Sequence, residues 1–477
     1  MNPQPAFHRV AIAASVLALA ACTTVGPDYK IPQGAAINRN EAAASFAAAT
    51  GNSFSQDALP AQWWRLYHDA ALDKLIDKAF AANTDLRVAA ANLERSRAVL
   101  DEAGDATRPK VGISVEPGYG RPSGAALALP EALPNGGMYD LGANVSYQVD
   151  LFGKIHRAIE AASADSEAAQ AAFDLAHVTV AADTVRAYVG VCTAGEQLRV
   201  AQHSIGLQQQ FVDVTARRQR AGRGTALELS RARSQLEQLR AAVPPLQAQQ
   251  RVALYRLAVL TGEVPGKGMD NIAQCTTMPR LSSPIPVGDG TALLRRRPDI
   301  RQAERTLASA TARIGVATAD LYPNVTLGAS IGSTGVLEDF GAANAFRWSV
   351  GPLISWTLPN TGSARTRIKQ AEAGSDAALA RFDGVVLNAL RETESALTVY
   401  ARELDRNASL KAAREQSALA SQQAHKLHQF GRADFLTTLD ADRTLANAES
   451  ALAASNAQLA SDQVGVFLAL GGGWETE

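Results

Sequence analysis

Gly222-Arg223-Gly224-Thr225-Ala226-Leu227-Glu228-Leu229 recurs in altered form as Gly431-Arg432-Ala433-Asp434-Phe435-Leu436-Thr437-Thr438. Outward from these turns, Gly153 answers to Gly362, Phe173-Asp174 to Phe382-Asp383 and Gly262 to Gly471. The offset is 209 residues each time (362−153, 382−173, 431−222, 471−262). An ungapped match of this length is what a duplicated rigid element gives and duplicated loops do not. Each copy reads as one very long helix, a short Gly-containing turn and a second long helix running back. From Gly153 to Ala221 there is no proline, and alanine is abundant. Val191, Ala194, Leu198, Ala201, Ile205, Gln208, Val212 and Thr215 keep the alternating spacing of a coiled-coil seam. Ala232, Leu236, Leu239, Val243, Leu246, Gln250, Ala253, Leu257 and Leu260 do the same on the return. The first helix is then roughly 100 Å long, far beyond an ordinary globular helix. The pattern predicts a long hollow or rod-like object rather than a compact enzyme.

A shorter helix precedes each copy. Thr84 or Asp85 suits its N-cap, and Leu86, Val88, Leu93 and Leu100 continue it toward Arg108. Asp85-Leu86 recurs as Asp299-Ile300, Leu93 as Leu307 and Pro109 as Pro323. This helix and the return helix Thr225–Leu260, placed end to end, give some 90 Å. Each half thus presents one continuous and one two-piece column of similar height. Pro244-Pro245 predicts a kink in the first return helix, where the second copy has Ala453-Ala454.

After Pro109 and Pro323 the period changes from 3.6 to 2. Val111, Ile113 and Val115 alternate with small or polar residues, as do Tyr139, Leu141, Ala143, Val145, Tyr147 and Val149. In the second half Val325, Leu327, Ala329 and Ile331 alternate, then Trp348, Val350, Ile354, Trp356 and Leu358. Two hairpins follow, each with one apolar face. Tyr139 and Tyr147 share that face at a separation of about 26 Å along the strand, as do Trp348 and Trp356. At a 45° tilt this is roughly 19 Å vertically, close to the apolar band of an outer-membrane barrel with its aromatic girdles. A sheet in lipid closes on itself, because unpaired edges cannot be left in hydrocarbon. One chain offers four strands, and such barrels start at about eight, so the membrane reading requires several chains.

At the N-terminus, His8-Arg9 precede an apolar run from Val10 to Ala18 that ends in Leu19-Ala20-Ala21-Cys22. This is a secretory signal whose cleavage site meets a cysteine, the pattern of a lipobox. Cys22 is then the acylated residue of the mature protein, and several acyl chains anchor it stably. Thr23, in place of an aspartate, favours the outer membrane. The chain divides into a signal peptide (1–21), a lipid-anchored tether (22–70), a first repeat (71–262), a linker or equatorial region (263–292), a second repeat (293–471) and a tail (472–477). The repeats hold β-hairpins over 110–150 and 324–358 and helical hairpins over 153–262 and 362–471.

Composition excludes several classes. The net charge of −1 on 477 residues offers no basic face to nucleic acid. Cys192 and Cys275 have no partner spacing for zinc or a disulfide framework and read as isolated thiols. His425 and His428 lie one helical turn apart, but a solvated face accounts for them better than a metal site does. Methionines are too few for copper-export clusters. No acids, bases or ligands converge as catalysis needs, so neither an enzyme, a cofactor nor a metal is expected beyond the covalent lipid.

Val25-Gly26-Pro27-Asp28-Tyr29, Trp63-Trp64, Arg297-Pro298-Asp299-Ile300 with Ala303-Glu304, Tyr322-Pro323 and the two Gly turns occur in an order that resembles the outer membrane factor, or TolC-like, family. The resemblance is to its lipoprotein branch of multidrug efflux channels, which serve antibiotic resistance, and covers nearly the whole mature chain. It implies an α+β membrane protein built as a homotrimer, with a long coiled-coil α-barrel, a transmembrane β-barrel of four strands per chain and two internal repeats. It further implies docking to a periplasmic adaptor and an inner-membrane pump. The tips Gly222, Arg223, Gly224, Thr225, Gly431, Arg432, Ala433 and Asp434 are the implied adaptor contacts. Leu436, Asp440 and Arg443 share one stripe of the return helix. It is either a solvated face or, following the family pattern, a gate at the periplasmic mouth. The function expected is a passive outer-membrane exit duct. The alternative is a periplasmic coiled-coil structural or adaptor lipoprotein, against which the aromatic-flanked strands argue.

Overall fold

The computed structural model describes residues 24–474 except 50, 122, 124, 126–129, 133, 267–268, 282 and 357–360. The signal peptide, the lipidation site Cys22 and the last three residues of the tail lie outside the described residues, as does Leu358. In chain order the elements are β1 (Phe54–Ser55), α1 (Ala70–Ala82), α2 (Thr84–Asp105), β2 (Lys110–Gly120), β3 (Gly136–Val149) and α3 (Lys154–Arg220). They continue as α4 (Ala226–Ala241), α5 (Val243–Leu260), α6 (Asp270–Ala273), β4 (Ile285–Pro286), α7 (Gly290–Arg296) and α8 (Pro298–Ala319). The last are β5 (Asn324–Val336), β6 (Phe346–Ser355), α9 (Thr361–Gln429) and α10 (Phe435–Ala469). The order helix, two strands, long helix, return helix thus occurs twice. Helix α3 runs unbroken for 67 residues and α9 for 69. The first return helix breaks at Ala242, and prolines occupy the opening turn of α5. Proline lacks the amide hydrogen that would continue the ladder, yet fits a first turn, where that hydrogen has no partner. The second return helix, without prolines, is continuous over 35 residues.

The chain forms two units. One comprises Met1–Pro32, Leu93–Ala169 and Ala303–Phe382. It holds a single four-stranded antiparallel sheet in the order β2-β3-β5-β6. The two expected hairpins are therefore joined, Ala143 pairing with Ile331 and Val145 with Ala329. Register carries the apolar residues of all four strands to one face: Val111, Val145, Ala329 and Val350 form one row, and Ile113, Ala143, Ile331 and Trp348 the next. The opposite face carries Ser114, Asn144, Ser330 and Ser349 and an ion pair between Arg347 and Asp140. Helices α3 and α8 of this unit bury small residues such as Ala161, Ala164 and Ala312. Arg313–Asp165 and Arg305–Glu167 pairs tie α8 to α3.

The other unit comprises Gln33–Asn92, Gln170–Gln302 and Asp383–Glu477. Its core packs Trp63, Trp64 and Tyr67 against Leu72 and Ile76 of α1, Val185 and Tyr188 of α3, Leu397 of α9 and Phe467 of α10. Trp63 stacks on Phe467 at 4.4 Å between ring centroids. Apolar burial of this kind contributes roughly 1.5–3 kcal/mol per large side chain. Helix α1 buries Leu72, Leu75, Ile76 and Ala79.

Three expectations are corrected by the structure. The cap of α2 is Asn83, whose Oδ1 accepts from the Asp85 and Leu86 amides at 2.8 and 3.1 Å. The supposed linker is folded: β4 pairs parallel to β1, and Ile285 and Val287 are buried. Cys192 and Cys275 are not isolated thiols but form a disulfide across 83 residues, with their Cα atoms 4.7 Å apart. Cys192 faces the core of α3, and the folded linker delivers Cys275 to it, a juxtaposition that spacing alone does not reveal. One member of the repeat also differs. Gly153 precedes α3 with φ 73°, whereas Gly362 lies within the first turn of α9.

Candidate functional site

The helical tips are built by two equivalent turns. Gly222 and Gly431 adopt φ 71° and 68°, a conformation that a side chain makes costly. In each, the following arginine closes the turn by backbone bonding: Arg223 N donates to Arg218 O and Arg432 N to Leu427 O, both at 2.8 Å. This six-residue closure satisfies carbonyls that a helix end otherwise leaves bare. The return helices start on side-chain caps. Thr225 accepts from Glu228 N while Glu228 accepts from Thr225 N, a reciprocal capping box. Asp434 accepts from Thr437 N at 2.7 Å. Bonds from Thr437 hold its carboxyl below the usual carboxylate range. Gly224 is half-buried and Ala433 likewise, while Arg223, Thr225 and Arg432 are exposed.

Beyond the second turn, Leu436, Asp440 and Arg443 are all exposed. Asp440 and Arg443 form an ion pair at 2.8 Å. In the first copy the equivalent Leu227 and Arg231 are exposed too, and the next position of the stripe is Ser234 rather than a charged residue. Neighbouring hairpins meet just behind this stripe, where Phe211 of α3 stacks on Phe435 of α10 at 5.3 Å. A cavity of about 460 Å³ lies there, lined by Gln208, Phe211, Leu239, His425, Asp442 and Glu449 among others. Both carboxylate oxygens of Asp442 lie at 2.9 and 3.0 Å from His425 Nε2. That hydrogen bond raises the His425 pKa against the opposing effect of burial. His428 instead meets Arg218 of α3 and the Ala433 carbonyl. The two histidines thus have separate partners, and the described residues contain no metal-binding cluster.

On the sheet, Tyr147 and Trp348 are exposed on the apolar face, and Trp356, just past the end of β6, is exposed as well. Tyr139 departs from the expected girdle. It is 6% exposed, beneath Phe340 at 5.1 Å, with its hydroxyl bonded to Ser333 Oγ. The β5–β6 loop, which periodicity could not place, supplies Phe340. Val111, Ile113, Val350 and Ile354 are likewise bare, an apolar patch no isolated soluble domain would leave in water.

Two arginines are buried that the sequence reading did not expect to be, Arg157 unnamed there and Arg297 named only within a motif. Arg157, almost wholly buried, donates to the Val25 and Gly26 carbonyls and to Asp28 Oδ1, and also pairs with Glu160. It fastens the segment Val25–Tyr29 to α3. Arg297 donates to Ala469 O at 2.8 Å while pairing with Asp299 and Glu392. Motif order marked the segments Val25–Tyr29 and Arg297–Ile300, yet a lone arginine in a helical pattern carries no sign of its burial.

At the sheet base, Asp320 joins Lys154 Nζ at 2.6 Å and Arg367 Nη1 at 2.8 Å. Burial pushes the Asp320 carboxyl up, and the two cations outweigh it and hold the group below its ordinary range. Phe152 stacks on Tyr322 at 4.4 Å, and Trp356 Nε1 donates to Leu321 O at 3.2 Å.

Twice-repeated long helical hairpins, in a chain whose sheet has one bare apolar face, define a TolC-like outer-membrane channel. A structure described as the outer-membrane channel OprN is 36% identical, with TM-score 0.88 over 95% of this chain and all of that one. The toluene efflux pump outer membrane protein TtgC of Pseudomonas putida is 26% identical over 98% of this chain and 95% of its own. The cation efflux system protein CusC of Escherichia coli is 26% identical over 96% and 97%. The chain belongs to the outer membrane efflux protein family, which it matches over residues 75–263 and 291–472. It is an outer-membrane efflux channel reaching into the periplasm, in a family of ducts rather than of enzymes.

Proposed function

We propose that three copies close into one duct, with twelve strands forming a barrel in the outer membrane and the long helices a periplasmic tunnel. The observation that carries this reading is the four-stranded sheet: β2 and β6 are its edges, and its apolar face is exposed. Hydrocarbon tolerates neither open edges nor a partial barrel, and three sheets of four strands exceed the minimum of about eight. Tyr147, Trp348 and Trp356 then meet lipid, with Phe340 covering Tyr139. Acylation of Cys22 adds an anchor, and Cys22→Ser abolishes metabolic palmitate labelling on this reading. The tips around Gly222 and Gly431 receive a periplasmic adaptor, and an inner-membrane pump supplies the energy, so the duct itself needs no cofactor. The stripe Leu436, Asp440 and Arg443 closes its periplasmic mouth at rest. Conductance of the purified protein in planar bilayers tests the reading. Discrete single-channel steps from a cross-linkable trimer are expected; a monomer that carries no current overturns it.

A further inference from the structure

The base of the sheet holds more charge and more aromatic surface than the fold itself requires. Phe152, Tyr322, Trp356, Lys154, Asp320 and Arg367 line a cavity of about 190 Å³ between the strand ends and the starts of α3 and α9. Inside the cavity the two cations, Lys154 and Arg367, are matched by two carboxylates, Asp320 and Asp150. Asp150 is already engaged by the start of α3, accepting from Ile155 N at 3.0 Å and His156 N at 2.8 Å. Arg365 and Lys369 flank Arg367 in sequence along α9, Arg365 exposed, and Lys110 is exposed at the start of β2. This end of the sheet therefore carries an excess of positive charge beside an indole and a phenol, a combination suited to a lipid–water boundary. The chain itself also enters here. Val25 N donates to Phe152 O at 3.1 Å, and Thr24 abuts Gly153 so closely that an added Cβ would lie 2.5 Å from its Cγ2.

The geometry points to a binding site for the phosphate of an anionic phospholipid headgroup, held by Lys154 and Arg367 against the Trp356 and Tyr322 walls. The site rests on the proposed membrane insertion of the sheet. The phosphodiester takes the surplus positive charge that Arg365, Lys369 and Lys110 bring to this end of the sheet, and the glycerol and acyl portions continue along the bare face of β6. The ligand is a lipid of the leaflet facing the periplasm, because the helices that bear both cations extend on that side.

The test uses full-length protein in detergent and native mass spectrometry with dioleoylphosphatidylglycerol, against dioleoylphosphatidylcholine as the lipid without net charge. Wild type is expected to retain the anionic lipid in preference. Lys154→Gln with Arg367→Gln should weaken that retention about thirtyfold, since each basic group near a lipid surface contributes about one factor of five. Asp320→Asn frees both cations and should strengthen it, a gain that misfolding cannot mimic. Undiminished preference in the double variant, or loss in Asp320→Asn, overturns the site. Flotation of every variant with phosphatidylcholine vesicles separates this from the underlying reading. If wild type fails to float, membrane insertion itself is wrong and the site falls with it; if all float, only the lipid preference is judged.

Discussion

Asn83 donates its side-chain amide to the Leu260 carbonyl oxygen at 3.2 Å, joining the end of α5 to the start of α2. In the second half Arg297 donates to the Ala469 carbonyl, joining α10 to α8 in the same way. Two different side chains thus splice the two-piece columns, each from the residue that precedes the second piece. Removing Asn83 deletes an N-cap and leaves a buried carbonyl unpaired, a cost of about 1–3 kcal/mol. Arg297→Ala removes the pairs to Asp299 and Glu392 as well as the bond to Ala469 O, which Thr393 Oγ1 still reaches at 3.2 Å, and should cost at least as much. Thermal unfolding of the purified variants ranks the two. A smaller loss for Arg297→Ala than for Asn83→Ala contradicts the splice.

The repeat glycines separate backbone strain from crowding. Around Gly222 and Gly431 an added Cβ has open space, whereas at Gly262 it would meet Ala82 Cβ at 2.9 Å and Ala82 O at 3.0 Å. Alanine at either tip should cost only the strain of its left-handed conformation, about 1–2 kcal/mol. Gly262→Ala adds a clash at the column splice and should lower the melting temperature further. Equal losses at all three positions would show that the splice has room.

The disulfide predicts a redox-dependent stability. Cys192→Ala with Cys275→Ala releases the folded linker from α3, and a bridge of this span typically contributes about 2–4 kcal/mol. The periplasm is oxidising enough to form it. Denaturant unfolding with and without dithiothreitol should separate for the wild type and coincide for the double variant. Coincident curves for the wild type would deny the bridge a structural role.

The long helices, their turns and the alternating strands were legible in the sequence, because period and glycine act locally. Ala242, at which the return helix breaks, follows from Pro244-Pro245 for the same reason. The pairing of β3 with β5, the cover of Phe340 over Tyr139 and the approach of Cys275 to Cys192 depend on residues far apart in the chain. No periodicity encodes such contacts. The N-terminal segment is a further case: around Val25 it lacks regular structure, so only its ties to Arg157 and Phe152 reveal that it is held in place. At the tips, glycine marks which residues lie on the turn, but nothing local shows that His425 faces Asp442.

The His425–Asp442 pair makes stability near the tips depend on pH. The bond to Asp442 raises the His425 pKa in the folded chain, so protonation favours folding. This contribution is complete below the unfolded value of about 6.5 and is lost as pH rises through the higher folded value. Glu449 and Asp442 line the same cavity, and Arg414 pairs with Glu449 at 2.8 Å. Melting temperatures between pH 6 and 8 should fall more steeply for wild type than for Asp442→Asn. Parallel profiles would mean that the pair does not stabilise the tips.

The gate is tested by the exposed stripe behind Gly431. The proposed function puts this turn at the periplasmic mouth of the duct. In one chain the Asp440–Arg443 pair is solvent-facing, and such a pair contributes only about 0.3–0.5 kcal/mol. Its loss should therefore leave folding and trimer yield unchanged. Around a threefold axis the same residues and Leu436 would instead form a closed collar. A few weak bonds suit that role, because a docking partner has to offset them. Asp440→Ala with Arg443→Ala is expected to raise single-channel conductance and to sensitise cells to large antibiotics such as vancomycin. Wild-type conductance and sensitivity in a normally assembled trimer would leave the stripe as a solvated helix face.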